Sequence, residues 1–170
     1  MKKIVIRVDR CMGCKSCELA CAVAHSATKN LMLTVLSGKK PGYRVNVEAA
    51  GRYSVPLHCN HCEDAPCIMA CPTGALNRKD DDEPVVFDAE KCIGCTMCVE
   101  ACPVGVLTVN VEGKGVLKCD LCIERLEQGL EPACVAACPT AALVFETPEK
   151  APQRKRKKAA AKLAAGVEAK

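Results

Sequence analysis

Between residues 3 and 9 the chain reads KIVIRVD, an apolar, β-branched run that predicts an opening strand. A loop and a short helix are expected around Cys11 to His25. The segment YRVNVEAAGRYSVPLHC (43–59) predicts a hairpin turning near Ala50–Gly51. EPVVFDAEKC (83–92) and GVLTVNVEGKGVLKC (105–119) predict strands leading into cysteine-bearing loops, and AALVFE (141–146) predicts a closing strand. The recurring unit is strand, loop, short helix, strand, repeated in pairs, which is an α+β pattern. No apolar stretch approaches the length needed to span a bilayer.

What separates these elements is cysteine, sixteen residues of 170. They fall into four sets of four. The first is CMGCKSCELAC, with Cys11, Cys14, Cys17 and Cys21. The second is CNHCEDAPCIMACP, with Cys59, Cys62, Cys67 and Cys71. The third is CIGCTMCVEACP, with Cys92, Cys95, Cys98 and Cys102. The fourth is CDLCIERLEQGLEPACVAACP, with Cys119, Cys122, Cys134 and Cys138. Each set opens on a two-residue gap and closes on a three-residue gap, and no cysteine is left over.

Composition explains why the chain needs them. It has two Phe, two Tyr and no Trp, so large aromatic core residues are nearly absent. Domains this small are insecure without a cross-link or a metal. Disulfides require an oxidising compartment and a secretory signal. The N-terminal apolar run ends at Arg7, too short for a signal sequence, so a cytoplasmic setting with reduced thiols is expected. Zinc ribbons also use C-x2-C pairs, but have no use for a third cysteine two residues on and a fourth three beyond that. The favoured reading is iron–sulfur chemistry. A cubane cluster needs thiolates from several directions, and two-residue gaps let a loop curl around it with backbone N–H groups aimed at sulfur. Gly13 and Gly94 sit where that curl wants no Cβ. The three-residue gap suits one helical turn after the third cysteine. Pro72, Pro103 and Pro139 then turn the chain out, whereas the first set has Ala22 there.

The four sets, together with PLHCNHCEDAPCIMACPTGAL (56–76) and KCDLCIERLEQGLEPACVAACPTAAL (118–143), resemble a known family over about residues 1–147. It comprises the four-cluster ferredoxin-like electron-transfer subunits of molybdenum and tungsten oxidoreductases. The family includes the iron–sulfur partners of formate dehydrogenases, nickel–iron hydrogenases and carbon monoxide dehydrogenase. The resemblance implies two ferredoxin-like two-cluster domains, one inserted in the other. The outer would be residues 1–56 with 113–147, the inner 57–112, followed by a basic tail, 148–170. It also implies crossed ligation of four [4Fe–4S] clusters, the fourth cysteine of one set serving the cluster of another. Cluster 1 would take Cys11, Cys14, Cys17 and Cys138. Cluster 2 would take Cys59, Cys62, Cys67 and Cys102. Cluster 3 would take Cys92, Cys95, Cys98 and Cys71, and cluster 4 Cys119, Cys122, Cys134 and Cys21.

By this resemblance the chain is a non-catalytic conduit, and substrate chemistry belongs to a larger partner with its own cofactor. The favoured partner is a tungsten aldehyde oxidoreductase, passing electrons towards a flavin or NAD-linked subunit. Iron–sulfur partners of carbon monoxide dehydrogenase, hydrogenase or formate dehydrogenase are the alternatives within the class. A free polyferredoxin and a DNA-binding iron–sulfur regulator are alternatives outside it. The chain between the motifs is lean, with no membrane-anchoring helix, which favours a soluble partner.

The remaining features are read more plainly. His25, His58 and His61 are expected to orient loops or tune potentials without ligating iron. Met12, Met69 and Met97 are expected to pack beside the clusters. Asp80–Asp81–Asp82–Glu83 is expected to be a solvated loop tip. The tail carries a basic block, Arg154 to Lys158, leading into Ala-rich, helix-favouring sequence. Little aromatic surface is present on which bases could stack, so nucleic acid is disfavoured. Four oxidised clusters would add about −8 to the formal charge of +4. A positive tail on a negative body raises the expectation of docking to an acidic partner or to another copy, in the latter case building a filament.

Overall fold

Strand β1 (Lys3–Ile6) runs antiparallel to β8 (Leu143–Glu146), with Ile4 opposite Phe145 and Ile6 opposite Leu143. This one ladder joins the two ends of the cysteine-rich region. All other pairing among the described residues is local: β2 (Val45–Ala50) with β3 (Tyr53–His58), β4 (Leu76–Asn77) with β5 (Val86–Phe87), and β6 (Thr108–Val109) with β7 (Val116–Leu117). Each of the four ladders is a two-stranded antiparallel sheet. The computed structural model describes residues 2–110 and 115–147, and in the tail 149, 150, 152, 153, 156, 157, 159, 160 and 164.

The expected opening strand is shorter than its apolar pattern. The Arg7 N–H still donates to the Ala142 carbonyl at 2.7 Å, after which Val8–Arg10 form a 3-10 turn closed by the Cys11 N–H on Val8. The 43–59 hairpin turns where expected, with Gly51 in the left-handed region at φ +58°. The chain turns left-handed there at no steric cost to a residue without a Cβ.

Six helices are described before the tail. The first, α1 (Ser16–Ala24), runs through Cys17 and Cys21. The others at the cysteine motifs are α3 (Pro66–Met69), α4 (Met97–Glu100), α5 (Ile123–Glu127) and α6 (Ala133–Ala136). Three of them, α3, α4 and α6, are single turns that stop before Pro72, Pro103 and Pro139; α1, with Ala22 where the others meet proline, continues for nine residues. The exit proline therefore accounts for the difference in helix length. These four helices each begin one residue before the third cysteine of their set, slightly earlier than expected.

Helix α2 (Leu31–Leu36) carries no signal in the hydrophobic pattern, because its polarity is reversed. Thr34 is buried, its hydroxyl within hydrogen-bonding distance of Ser26 Oγ (3.0 Å), Thr28 Oγ1 (2.7 Å) and the Asn30 carbonyl (2.7 Å). Met32, Leu33, Val35 and Leu36 are exposed. Asn30 caps the helix, its side-chain oxygen accepting from the Leu33 N–H at 3.2 Å.

Two apolar cores result. One gathers Ile4, Cys17, Cys21, Val45, Leu121, Cys134, Val135 and Leu143. The other gathers Ala65, Cys67, Leu76, Val85, Cys98, Leu107 and Val116. Motifs one and four thus meet in the first core, and motifs two and three in the second. Buried Glu18 ties α1 to β2 by accepting from the Val47 N–H at 2.6 Å.

The acidic run 80–83 is an exposed turn between β4 and β5, as expected. Described tail positions from Lys150 to Ala164 are helical, and Arg156 and Lys157 are exposed. Arg154, Lys155 and Lys158, on which the docking and filament expectations also rest, lie outside the described residues.

The β1–β8 ladder predicts a stability outcome. Leu143→Ala, at a side chain 1% exposed, is expected to cost roughly 2–5 kcal/mol. Leu36→Ala on exposed α2 is expected to cost under about 0.5 kcal/mol. Urea midpoints of the two variants measure the difference, and equal midpoints would show that the ladder is not what holds the chain ends together.

Candidate metal centres

The four cysteine loops share one backbone device. The second residue of each opening C-x2-C gap is left-handed: Gly13 (φ +70°), His61 (+47°), Gly94 (+76°) and Leu121 (+59°). In the first three motifs a second left-handed residue stands two places before the third cysteine, at Lys15, Ala65 and Thr96, and there it begins the helix. Left-handed residues curl the chain inward and turn successive N–H groups towards the enclosed space. The N–H of His61 reaches Cys59 Sγ and that of Gly94 reaches Cys92 Sγ, both at 3.4 Å. Arg44 and Ala142 donate backbone N–H groups to Cys21 Sγ and Cys138 Sγ, both at 3.2 Å.

Glycine was the visible sign of this curl in two motifs only. His61 and Leu121 hold the same conformation against a steric cost of about 1–2 kcal/mol. At His61 a specific bond helps to offset it. Its Nδ1 accepts from the Val85 N–H at 3.0 Å, which places the ring hydrogen on Nε2. That buried Nε2–H finds no partner among the described residues. Burial, with Lys118, His58 and Arg78 nearby, lowers the His61 pKa to about 3, so the ring is neutral. Arg78 clamps the same loop by donating to the carbonyls of His61, Cys62 and Glu63 at 2.7–3.2 Å.

The thiols converge across the sequence. Burial pushes the Cys17 thiol up to about 11, with Glu18 and Cys138 adding negative charge nearby. Cys138 also acts on Cys14, although the hydroxyl and N–H of Ser16 hold that thiol below its usual value. Burial raises Cys98, and so do the charges of Cys71, Cys95 and Cys92. Cys67 is raised by burial, opposed by Lys118 and reinforced by Cys59 and Cys102. Cys134 is raised by burial and by Cys119, Cys21, Cys122 and Cys17. At Cys119 burial is again the first cause, and Cys59 and Cys21 add to it. Cys71 and Cys138 go the other way: burial opposes, but backbone N–H groups and the hydroxyls of Thr73 and Thr140 favour their thiolates.

His25 and Asp120 form an ion pair at this centre. The His25 Nδ1–H faces the Cys21 carbonyl at 2.8 Å, and its Nε2–H meets Asp120 Oδ1 at 3.0 Å. With acceptors at both nitrogens the ring is an imidazolium. Burial works against that charge, but hydrogen bonds to Asp120 and to the sulfurs of Cys122 and Cys21 raise the His25 pKa to about 12. Asp120 is disfavoured by burial yet lowered by His25 to about 2, and it accepts the Cys122 N–H at 2.9 Å. His25, Asp120 and Cys122 bring their ligand-type atoms within 4.8 Å of one another, and Cys122 is already a member of the fourth motif.

These observations fit iron–sulfur clusters. Sulfurs buried in groups raise one another's pKa, and a cation is needed to hold them as thiolates together. Donated N–H groups and a buried ring N–H without a protein partner suit the sulfur surface of a cluster. All sixteen cysteines are free thiols. Met12, Met69 and Met97, expected to pack beside the clusters, are instead exposed. Sequence reasoning passed over Glu18, Arg78, Lys118 and Asp120. Lys118 and Asp120 flank Cys119 in KCDLC, but the Lys-Cys step recurs at Lys91, which is exposed and paired with Asp88.

The ion pair predicts a pH dependence. His25 stabilises fully below its ordinary 6.5 and loses that contribution as pH rises towards about 12. Asp120 contributes above its ordinary 3.8 and loses it as pH falls through about 2. Asp120→Asn should therefore lower the urea midpoint more at about pH 6 than at about pH 9. An equal loss at both would mean that His25 carries no charge.

A 4Fe-4S dicluster domain matches residues 51–147, and a 4Fe-4S binding domain matches residues 8–24. An "iron-sulfur protein" of Rhodospirillum rubrum is 42% identical, aligned over 79% of this chain and 76% of its own length. Thiosulfate reductase electron transfer subunit PhsB of Salmonella typhi is 39% identical, over 80% of this chain and 70% of its own. A tetrathionate reductase subunit of Salmonella typhimurium is 36% identical, over 79% of this chain and 53% of its own, so this chain spans about half that relative. No helix among the described residues is long and apolar enough to cross a membrane. Sixteen cysteines in four converging groups fit four 4Fe–4S clusters, and the chain belongs to the 4Fe-4S dicluster domain family.

Proposed function

We propose that this chain is the electron-transfer subunit of an oxidoreductase complex and carries a line of four clusters between a catalytic subunit and an acceptor. When bound, the clusters supply one-electron redox chemistry. The residues of the chain space the sulfurs, exclude water from them and aim N–H donors at them.

The observation that carries this reading is the continuity of sulfur through the fold. Cys138 lies by Cys14 and Cys17, and Cys21 by Cys119 and Cys134. Cys102 lies by Cys67, and Cys71 by Cys98. His25 touches both Cys21 and Cys122. These neighbours support the crossed ligation that the resemblance implies. They also support an outer domain of residues 1–56 with 113–147 around an inner domain of 57–112, with β7 leaning on the inner core through Val116. Cys59 acts on Cys119, which supports clusters 2 and 4 as neighbours at the centre. The exposure of Cys14 and Cys95, the two exposed cysteines, supports clusters 1 and 3 as the ends. The line reads 1–4–2–3.

The relatives named for thiosulfate and tetrathionate reductases favour a reductase catalytic subunit of the molybdenum type. The narrower expectation of a tungsten aldehyde oxidoreductase rests on the resemblance of the motifs, the lean chain between them and the basic tail. A filament through residues 148–170 rests on charge alone. A cytoplasmic setting rests on the reduced thiols that such clusters require.

Pairwise ligand removal tests the quartets. Anaerobically isolated chain should hold about sixteen irons, and Cys98→Ala should cost one cluster, about four. Adding Cys71→Ala should cost no second cluster, whereas adding Cys67→Ala should cost another. A second cluster lost on adding Cys71→Ala would overturn the crossed assignment, and zinc in place of iron would end the reading. Affinity isolation from the native host should bring down a larger chain with molybdenum. Tungsten there would restore the aldehyde oxidoreductase reading, and isolation of the chain alone would favour a free polyferredoxin.

A further inference from the structure

Lys118 is 4% exposed, and its Nζ meets three acceptors: the Val85 carbonyl at 2.6 Å, the Cys119 carbonyl at 2.9 Å and Cys59 Sγ at 3.5 Å. Three acceptors match the three hydrogens of an ammonium group. A buried charge is costly unless it is paired. Two of these partners are neutral carbonyls, and the third is a sulfur. The same ammonium acts electrostatically on Cys67 and Cys119. It therefore stands between the sulfurs of motif two and those of motif four, where the two cores of the chain meet.

We propose that Lys118 is a positioning residue for electron transfer, a fixed positive charge that raises the potential of the clusters on either side of the junction between the two halves. The inference rests on the crossed quartets proposed above. Each oxidised cluster carries about −2, and accepting an electron makes it about −3. Two such groups side by side repel an added electron, and in a dry site that repulsion is weakly screened. A cation bonded to Cys59 and facing Cys119 favours the reduced state of either neighbour. The step it assists is one electron moving from one cluster to the next, the first oxidised as the second is reduced, with no proton transferred. Lys91 precedes Cys92 as Lys118 precedes Cys119, but it is exposed and paired with Asp88 at 3.3 Å. It serves as the internal control.

The test uses the full-length chain isolated with its clusters, in parent form and as Lys118→Gln, Lys118→Arg and Lys91→Gln. Iron content and EPR-monitored redox titration are measured on each. Lys118→Gln keeps a polar donor for the carbonyls and removes the charge. It is expected to retain the parent's iron while one or two of the four midpoints fall. The fall should be about tenfold in the ratio of reduced to oxidised cluster, ~59 mV for a one-electron couple. Lys118→Arg should move those midpoints less, and Lys91→Gln should leave all four in place. Full iron with four unchanged midpoints in Lys118→Gln would overturn the proposal. So would loss of iron in that variant, because the role would then be structural, and so would an equal fall in Lys91→Gln. A parent chain without about sixteen irons would instead reject the cluster reading itself.

Discussion

Buried sulfur is the constraint from which the rest of this structure follows. Cys17, Cys67, Cys98 and Cys134 are packed into the two cores, where a small aliphatic protein would place leucine or phenylalanine. Burial and the charges of neighbouring thiolates push these groups towards the neutral thiol. Metal reverses that preference, because the cation compensates the charge and its bonds replace the packing of missing large side chains. Folding and cluster binding are thereby coupled. A chain with two Phe and no Trp has little else with which to fill its centre.

The backbone answers the same constraint. Left-handed residues at Gly13, His61, Gly94 and Leu121 curl four loops alike, though only two are glycine. The cost at His61 is met by tertiary contacts, the Val85 N–H on its ring and the Arg78 guanidinium on its carbonyl. One helical turn then carries the third cysteine inward. Proline ends that turn in three motifs, and its replacement by Ala22 lets α1 run long enough to bring His25 to Asp120, while Glu18 in the first turn reaches β2. The missing proline thus accounts for the His25–Asp120 tie, one of two polar ties that join the first motif to its surroundings.

Charge is distributed unevenly among the sulfurs. The ion pair of His25 and Asp120 sits by Cys21 and Cys122, and Lys118 sits between Cys59 and Cys119. Cys14 and Cys95 are instead exposed, and at Cys14 the hydroxyl and N–H of Ser16 favour the thiolate. Buried charge thus gathers around Cys21, Cys59, Cys119 and Cys122, and exposure falls on Cys14 and Cys95. That distribution supports the proposed line, in which Cys14 and Cys95 serve the end clusters.

Local spacing in the sequence was enough to determine the kind of chemistry, because loop curl and helical turn depend on neighbours a few residues apart. The four cysteine sets, the 43–59 hairpin and the closing strand were all legible in that way. Helix α2 was not, since it buries Thr34 and exposes its apolar residues, inverting the pattern on which such a reading depends. Nor was the difference between Lys118 and Lys91, two lysines each preceding a cysteine, one buried and bonded to Val85 and the other exposed and paired with Asp88. Which sulfurs face one another across the chain was likewise decided only in three dimensions. The β1–β8 ladder and the first core bring together residues more than a hundred positions apart, and no local rule carries over that distance.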